Sequence, residues 1–192
     1  MSLIIDRLEF QRQYATGRII NLGCSGNPAG LRAALHVDMR PGPFVDGPTP
    51  HPFWQGDARH VPRPDDSFDT AVMGEILEHF STEEDAMEAL REARRLAPNL
   101  VATVPRDDRM LGRAKWEEDT ACPPGETHVL WISADRLWRM LRDTGWDVIL
   151  WMQTTYGWCP CGWAVLAQRA NTQVAATMEV EYQLRLKERF GT

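Results

Sequence analysis

No apolar run in this sequence is longer than five residues, the longest being 148–152 and 163–167, far short of the roughly 20 that a membrane-spanning helix needs. Membrane insertion is therefore not expected. Cysteine is scarce, with four in 192 residues. The opening MSLIIDRLEF offers neither a basic leader nor an apolar stretch of secretory length. Together these point to a reducing, cytoplasmic setting rather than a disulfide framework. There is no excess of positive charge: 21 basic residues against 27 acidic ones give −6. That argues against a whole-surface nucleic-acid binder, so nucleic acid is not the expected partner. No internal repeat or low-complexity tract is visible, which removes solenoid architectures.

What is present is ordinary globular composition, 43% hydrophobic and 25% charged, in a length suited to one domain over residues 1–192. Strand-like apolar runs alternate with helical stretches. The runs are 18–23, 34–39, 53–56, 68–74 and 100–104, near-continuous in the way of a parallel sheet covered on both faces. Between the last two lies a well-signalled helix. Ser81 and Glu84 suggest a capping box, acidic residues fill the first turn, arginines fill the last, and Pro98 stops it. A second helix is expected from near Ser133 to Gly145. Two further runs, 146–155 and 162–168, are joined by YGWCPCG and read as a hairpin, so the last strand should be antiparallel. Residues 171–190 read as a closing helix. Residues 40–64 hold seven of the 13 prolines and should be mostly loop. The loop 105–131, with Arg106, Arg109, Arg113, Lys115 and Trp116, is placed to meet substrate.

The chemistry-bearing residues sit at the ends of successive strands. The first run ends in Asn21-Leu22-Gly23-Cys24-Ser25-Gly26, where glycines let backbone approach a ligand at the sheet's carboxyl edge. The second ends in Asp38, suited to the two hydroxyls of a ribose, and the third in Gly56-Asp57-Ala58, suited to an adenine edge. Gly23-x-x-Gly26 followed by Pro28 is not the G-x-G-x-x-G helix opening that a nicotinamide dinucleotide requires.

With NLGCSG, HVDMRPG, GDARHVPRPDDSFDTAVMGEILEHF and THVLWISADRLWRMLRDTGWDV in this order, residues 18–169 resemble the class I S-adenosylmethionine-dependent methyltransferases. The resemblance is to the short-loop group carrying an LEH motif. It implies an α/β fold: a Rossmann-like, doubly wound, seven-stranded sheet with an antiparallel last strand. It implies that Gly23, Cys24, Ser25 and Gly26 wrap the methionine part of S-adenosyl-L-methionine, Asp38 holds the ribose and Met39 packs on the adenine. Asp57 and Ala58 would read the adenine, while Gly74 and Glu75 lie beside the sulfonium. Asn21 stands where the group has an acidic residue, and the short span from Gly23 to Asp38 leaves little room for a first crossover helix.

The segment Glu75-Ile76-Leu77-Glu78-His79 carries a separate signal. If helical, it places residues 75, 78 and 79 on one face. Two carboxylates and an imidazole are competent ligands for Mg2+, Mn2+ or Zn2+, and His128 could complete the set. The E-x-x-E-H pattern with a later His is similar to the metal sites of ubiquinone-pathway O-methyltransferases and of small-RNA 3′-terminal 2′-O-methyltransferases. Local capping by Glu78 and His79 is an alternative, as is His79 or His128 acting as general base without metal, with Glu75 nearby. Cys122, Cys159 and Cys161 lack zinc-type spacing and are expected to be reduced thiols. The resulting expectation is an O-methyltransferase, monomer or homodimer, acting on a small-molecule or glycan hydroxyl. A non-catalytic cofactor-binding partner subunit and a methylase of an RNA ribose hydroxyl are the alternatives.

Overall fold

The structure, a computed structural model, describes residues 4–24, 29–40, 52–105, 128–156 and 159–170, and the side chains of these except 156 and 159–161. The elements are β1 (Ile4–Asp6), α1 (Arg7–Tyr14), β2 (Ile19–Leu22), β3 (Leu35–Asp38), β4 (Phe53–Gln55) and β5 (Thr70–Gly74). A 3-10 turn (Leu77–His79) follows, then α2 (Glu83–Leu96), β6 (Asn99–Pro105), α3 (Ala134–Asp143), β7 (Trp146–Tyr156) and β8 (Cys159–Arg169). The eight strands form one sheet in the order β1-β7-β8-β6-β5-β2-β3-β4. Only β8 runs against its neighbours. This is a doubly wound α/β sheet with one antiparallel strand, as the sequence resemblance implies.

The hydrophobic pattern accounts for the two layers. On one face, α2 buries Ala86, Ala89, Leu90, Ala93 and Leu96, and α3 buries Leu137, Met140 and Leu141. Trp146 of β7 ties α2 to the sheet by donating from Nε1 to the Leu90 carbonyl at 3.1 Å. The other face buries Phe10 of α1 with Ala29, Leu31 and Ala33 against Val72, Val101 and Ala164. No helix forms in the described residues between β2 and β3, so α1 supplies cover that a crossover helix would otherwise give.

Two expectations change. The sheet has eight strands rather than seven, because Ile4–Asp6 pairs parallel with Gln153–Thr155 of β7. Three residues are too few to show a periodicity, and this strand exists through its partner's free edge. Asp6 then caps α1, accepting from the amides of Leu8 and Glu9 at 2.9 and 3.1 Å. The cap of α2 is Thr82, not Ser81: its hydroxyl accepts from the Asp85 amide at 3.1 Å and donates to the Asp85 carboxylate at 2.8 Å. Thr82-x-x-Asp85 wins over Ser81-x-x-Glu84 because Asp85 is also held by Arg59. The closing helix, most of the 105–131 loop, Cys122 and the side chains of Cys159 and Cys161 lie outside the described residues. Among the described residues no helix is long and apolar enough to cross a membrane.

Phe10 tests whether α1 belongs to the core. Being fully buried, its replacement in Phe10→Ala should cost about 3–5 kcal/mol in a urea titration. A cost below about 1 kcal/mol, the range of surface substitutions, would show α1 to be peripheral.

Candidate active site

In the strand order, β5 and β3 flank β2 on opposite sides, so the chain's direction of winding reverses there and ligands are met at the carboxyl ends. Gly23 follows β2 with φ +68°, and its amide donates to the Val37 carbonyl at 2.8 Å. A Cβ there would lie 2.4 Å from Ile76 Cδ1, so glycine is required by both backbone and space. Cys24 is buried beside it; Ser25 and Gly26 lie outside the described residues. Asn21 is buried, its side-chain nitrogen 3.3 Å from His36 Nδ1.

Asp38 ends β3 with its carboxylate accepting from the Arg40 amide at 2.9 Å, while Met39 beside it is 70% exposed. Asp57 and Ala58 follow β4, tied to β3 by the Gly56 amide donating to the Asp38 carbonyl at 2.9 Å. Arg59 grips Asp57: its amide and Nε reach Oδ1 at 2.9 and 3.0 Å, and Nε and Nη2 reach Oδ2 at 2.9 and 2.6 Å. These hydrogen bonds hold the Asp57 carboxyl below the usual range, against the opposing effect of burial. Sequence reasoning did not single out Arg59, although an acid and a base two residues apart on a turn was a visible signal.

Gly74 and Glu75 follow β5. A Cβ on Gly74 would lie 2.3 Å from Gln11 Nε2, and that amide donates to Thr103 Oγ1 at 2.9 Å. Glu75 adopts φ +55°, a conformation that is costly for a non-glycine residue and gathers at functional sites. Its carboxylate pairs with Arg7 Nη1 at 2.6 Å. Burial raises the Glu75 carboxyl above its ordinary range, with Arg7 and Thr103 opposing. Arg7 and Gln11 had no sequence signal, since they meet the site only through the fold.

The 3-10 turn begins after Glu75, so the helical projection that put residues 75, 78 and 79 on one face does not hold. Glu78, His79 and His128 nevertheless converge: one ligand atom from each lies within 4.8 Å of the others. The His79 and His128 rings stack edge to face at 4.7 Å. Glu78 Oε1 is 3.8 Å from His79 Nε2 and 3.9 Å from His128 Nε2, both beyond hydrogen-bond length. Glu78 is 1% exposed, and neither carboxylate oxygen has a hydrogen-bond donor among the described residues. Burial, then the charge of Glu75, push its carboxyl well above the ordinary range. His128 is pushed down to about 4 by burial, then by His79 and Arg7. Its segment is held in place because the amides of Val129 and Leu130 both donate to the Glu78 carbonyl at 2.9 Å. Arg136 anchors the same segment, bonding the Trp131 carbonyl and Glu83 of α2 at 2.6 Å each. Glu75 turns to Arg7 instead of joining the three.

Comparison with known proteins agrees with this geometry. Residues 23–99 match the family described as a methyltransferase domain. No curated protein matches the chain. Among solved structures, an S-adenosylmethionine-dependent methyltransferase of Methanosarcina mazei superposes with a TM-score of 0.63 at 19% identity, covering 83% of this chain and 96% of that one. The 1,6-didemethyltoxoflavin-N1-methyltransferase of Burkholderia thailandensis, solved with bound 1,6-didemethyltoxoflavin and S-adenosylhomocysteine, gives 0.61 at 13% identity, covering 86% and 76%. The [4+2]-cyclase SpnF gives 0.54 at 17% identity, covering 85% and 78%, so the fold by itself does not fix the reaction.

Gly23→Ala should destabilise the protein by about 1–3 kcal/mol through its positive φ, and weaken S-adenosylhomocysteine binding. Adding Ile76→Ala should recover only the steric part of the loss. An unchanged melting temperature in the single variant would contradict the close approach. The matched segment, the sheet order and the solved structures that superpose on it give this chain the fold of class I S-adenosylmethionine-dependent methyltransferases, with a methyltransferase-domain match over residues 23–99.

Proposed function

We propose that the chain methylates a hydroxyl of a small molecule or glycan, with a divalent cation, Mn2+ or Mg2+, held by Glu78, His79 and His128. The observation that carries this reading is the buried Glu78 carboxylate, which faces two imidazole nitrogens at 3.8 and 3.9 Å with no hydrogen-bond donor among the described residues. Buried carboxylates are normally hydrogen-bonded, ion-paired or bound to metal. Those separations are too long for direct hydrogen bonds, and they suit three donors around one ion of ligand distance about 2.0–2.2 Å. Two imidazoles beside one carboxylate favour Mn2+ over Mg2+, which prefers oxygen.

When bound, S-adenosylmethionine supplies an activated methyl group, and the cation supplies Lewis acidity toward a hydroxyl. The chain's own residues do the rest. Asp38 and Asp57 fix the nucleoside from the ends of β3 and β4, while Gly23 admits the cofactor's approach at the end of β2. Arg7 keeps the Glu75 charge compensated at the end of β5, so the site does not gather two unpaired carboxylates. Glu78, His79 and His128 orient the acceptor oxygen and help its proton leave, which favours oxygen over carbon as the nucleophile. The net charge of −6 favours a small acceptor over a long RNA.

Calorimetric titration of metal-stripped protein with MnCl2 should show one site, weakened at least about 100-fold in Glu78→Ala and in His128→Ala. S-adenosylhomocysteine binding should change little in both. With radiolabelled S-adenosylmethionine and a panel of phenols, alcohols and sugars, any transfer should stop in EDTA and return with Mn2+. Undiminished transfer in EDTA would move the role to His79 or His128 as a general base.

A further inference from the structure

Arg59 stands apart from the cluster just described, and its contacts reach in two directions. Toward the sheet, it holds both oxygens of Asp57 with three N–H groups: its amide, Nε and Nη2. Toward the helices, Nη1 bonds Asp85, and Glu88 lies 3.9 Å away. Asp85 is itself fixed by the Thr82 cap of α2. The guanidinium thus ties a strand-end carboxylate to the first turn of a helix packed on the sheet. A carboxylate offers about four acceptor positions. Arg59 meets each oxygen twice, with the Nε hydrogen shared between them, and the rigid fork fixes the plane in which the carboxylate lies.

We propose that Arg59 is the positioning residue for adenine recognition: it fixes the plane of the Asp57 carboxylate that accepts the 6-amino group of the cofactor. This rests on the reading that Asp57 binds the adenine of S-adenosylmethionine. Arg59 itself does not touch the cofactor in this role. Without the fork, Asp57 keeps its charge but loses its orientation, and the preference for an amino group over a carbonyl at that ring position falls. The loop after β4 and the first turn of α2 are then one unit, joined by one side chain.

The test measures binding of S-adenosylhomocysteine and of S-inosylhomocysteine, which carries oxygen in place of the amino group, to the full-length protein. The wild-type protein should prefer the adenine form by about tenfold or more, the worth of one charge-assisted hydrogen bond. Arg59→Gln should lose most of that preference, as should Asp57→Asn. The double variant should match Asp57→Asn alone, because Arg59 acts through Asp57. A purely structural role would weaken both ligands equally, so an undiminished preference in Arg59→Gln, with Asp57→Asn losing it, overturns the proposal. No preference in the wild-type protein would instead overturn the reading of Asp57 and the proposal with it. Should Arg59→Gln fold poorly, Asp85→Asn removes the outer anchor alone; a reduced preference there supports the proposal, and an unchanged one contradicts it.

Discussion

A carboxylate placed where water cannot reach it must have a partner, and Glu78 is such a group. Removing an ionised carboxylate from water costs several kcal/mol even after the protein relaxes. Yet Glu78 is buried, and its backbone is pinned by two amides from the segment that carries His128. The sequence spends a turn of 3-10 helix, a left-handed Glu75 and a pair of edge-to-face imidazoles on holding this one group. The arrangement is intelligible if a cation completes it. The same ring nitrogens and carboxylate then become three ligands converging on one ion.

The surrounding architecture delivers the other half of the chemistry to that place. Parallel strands put Gly23, Asp38, Asp57 and Gly74 along one edge of the sheet, and the reversal at β2 opens the crevice there. Arginines then brace the edge from outside: Arg7 from α1, Arg59 from the loop after β4, and Arg136 from α3. Glu83 and Asp85, both in the first turn of α2, receive two of these, from opposite sides. The start of α2 therefore serves the strand-end carboxylates on one side and the His128 segment on the other. Its acidic first turn also complements the helix dipole, so the residues that stabilise the helix locally are the ones that brace the site.

Much of this was legible before any coordinates, and the reasons differ by residue. Strands β2 to β8 announce themselves as apolar runs, and Ser133 and Gly145 bound α3 by ordinary capping chemistry. Asp38 and Asp57 follow from a strand-end rule, which needs only local order along the chain. His128 was placed near His79 by its position after a long loop. What could not be read depends on tertiary contact. Strand β1 is three residues long and owes its existence to the edge of β7. Arg7 meets Glu75 across 68 positions, and Gln11 meets Thr103 across 92. Glu75 was misprojected because one left-handed residue breaks the helical spacing that the pattern assumed. The choice of Thr82 over Ser81 as cap turned on Arg59, a partner 26 residues from Asp85.

The account's central claim is that Glu78, His79 and His128 surround a cation next to the cofactor. Its most direct test is a crystal grown with MnCl2 and S-adenosylhomocysteine, with diffraction recorded at the manganese absorption edge. The account predicts a single strong anomalous peak within ligand distance of Glu78 Oε1 and of Nε2 on both histidines. A map with no peak there, in which an imidazole instead closes to hydrogen-bond Glu78 directly, would contradict it.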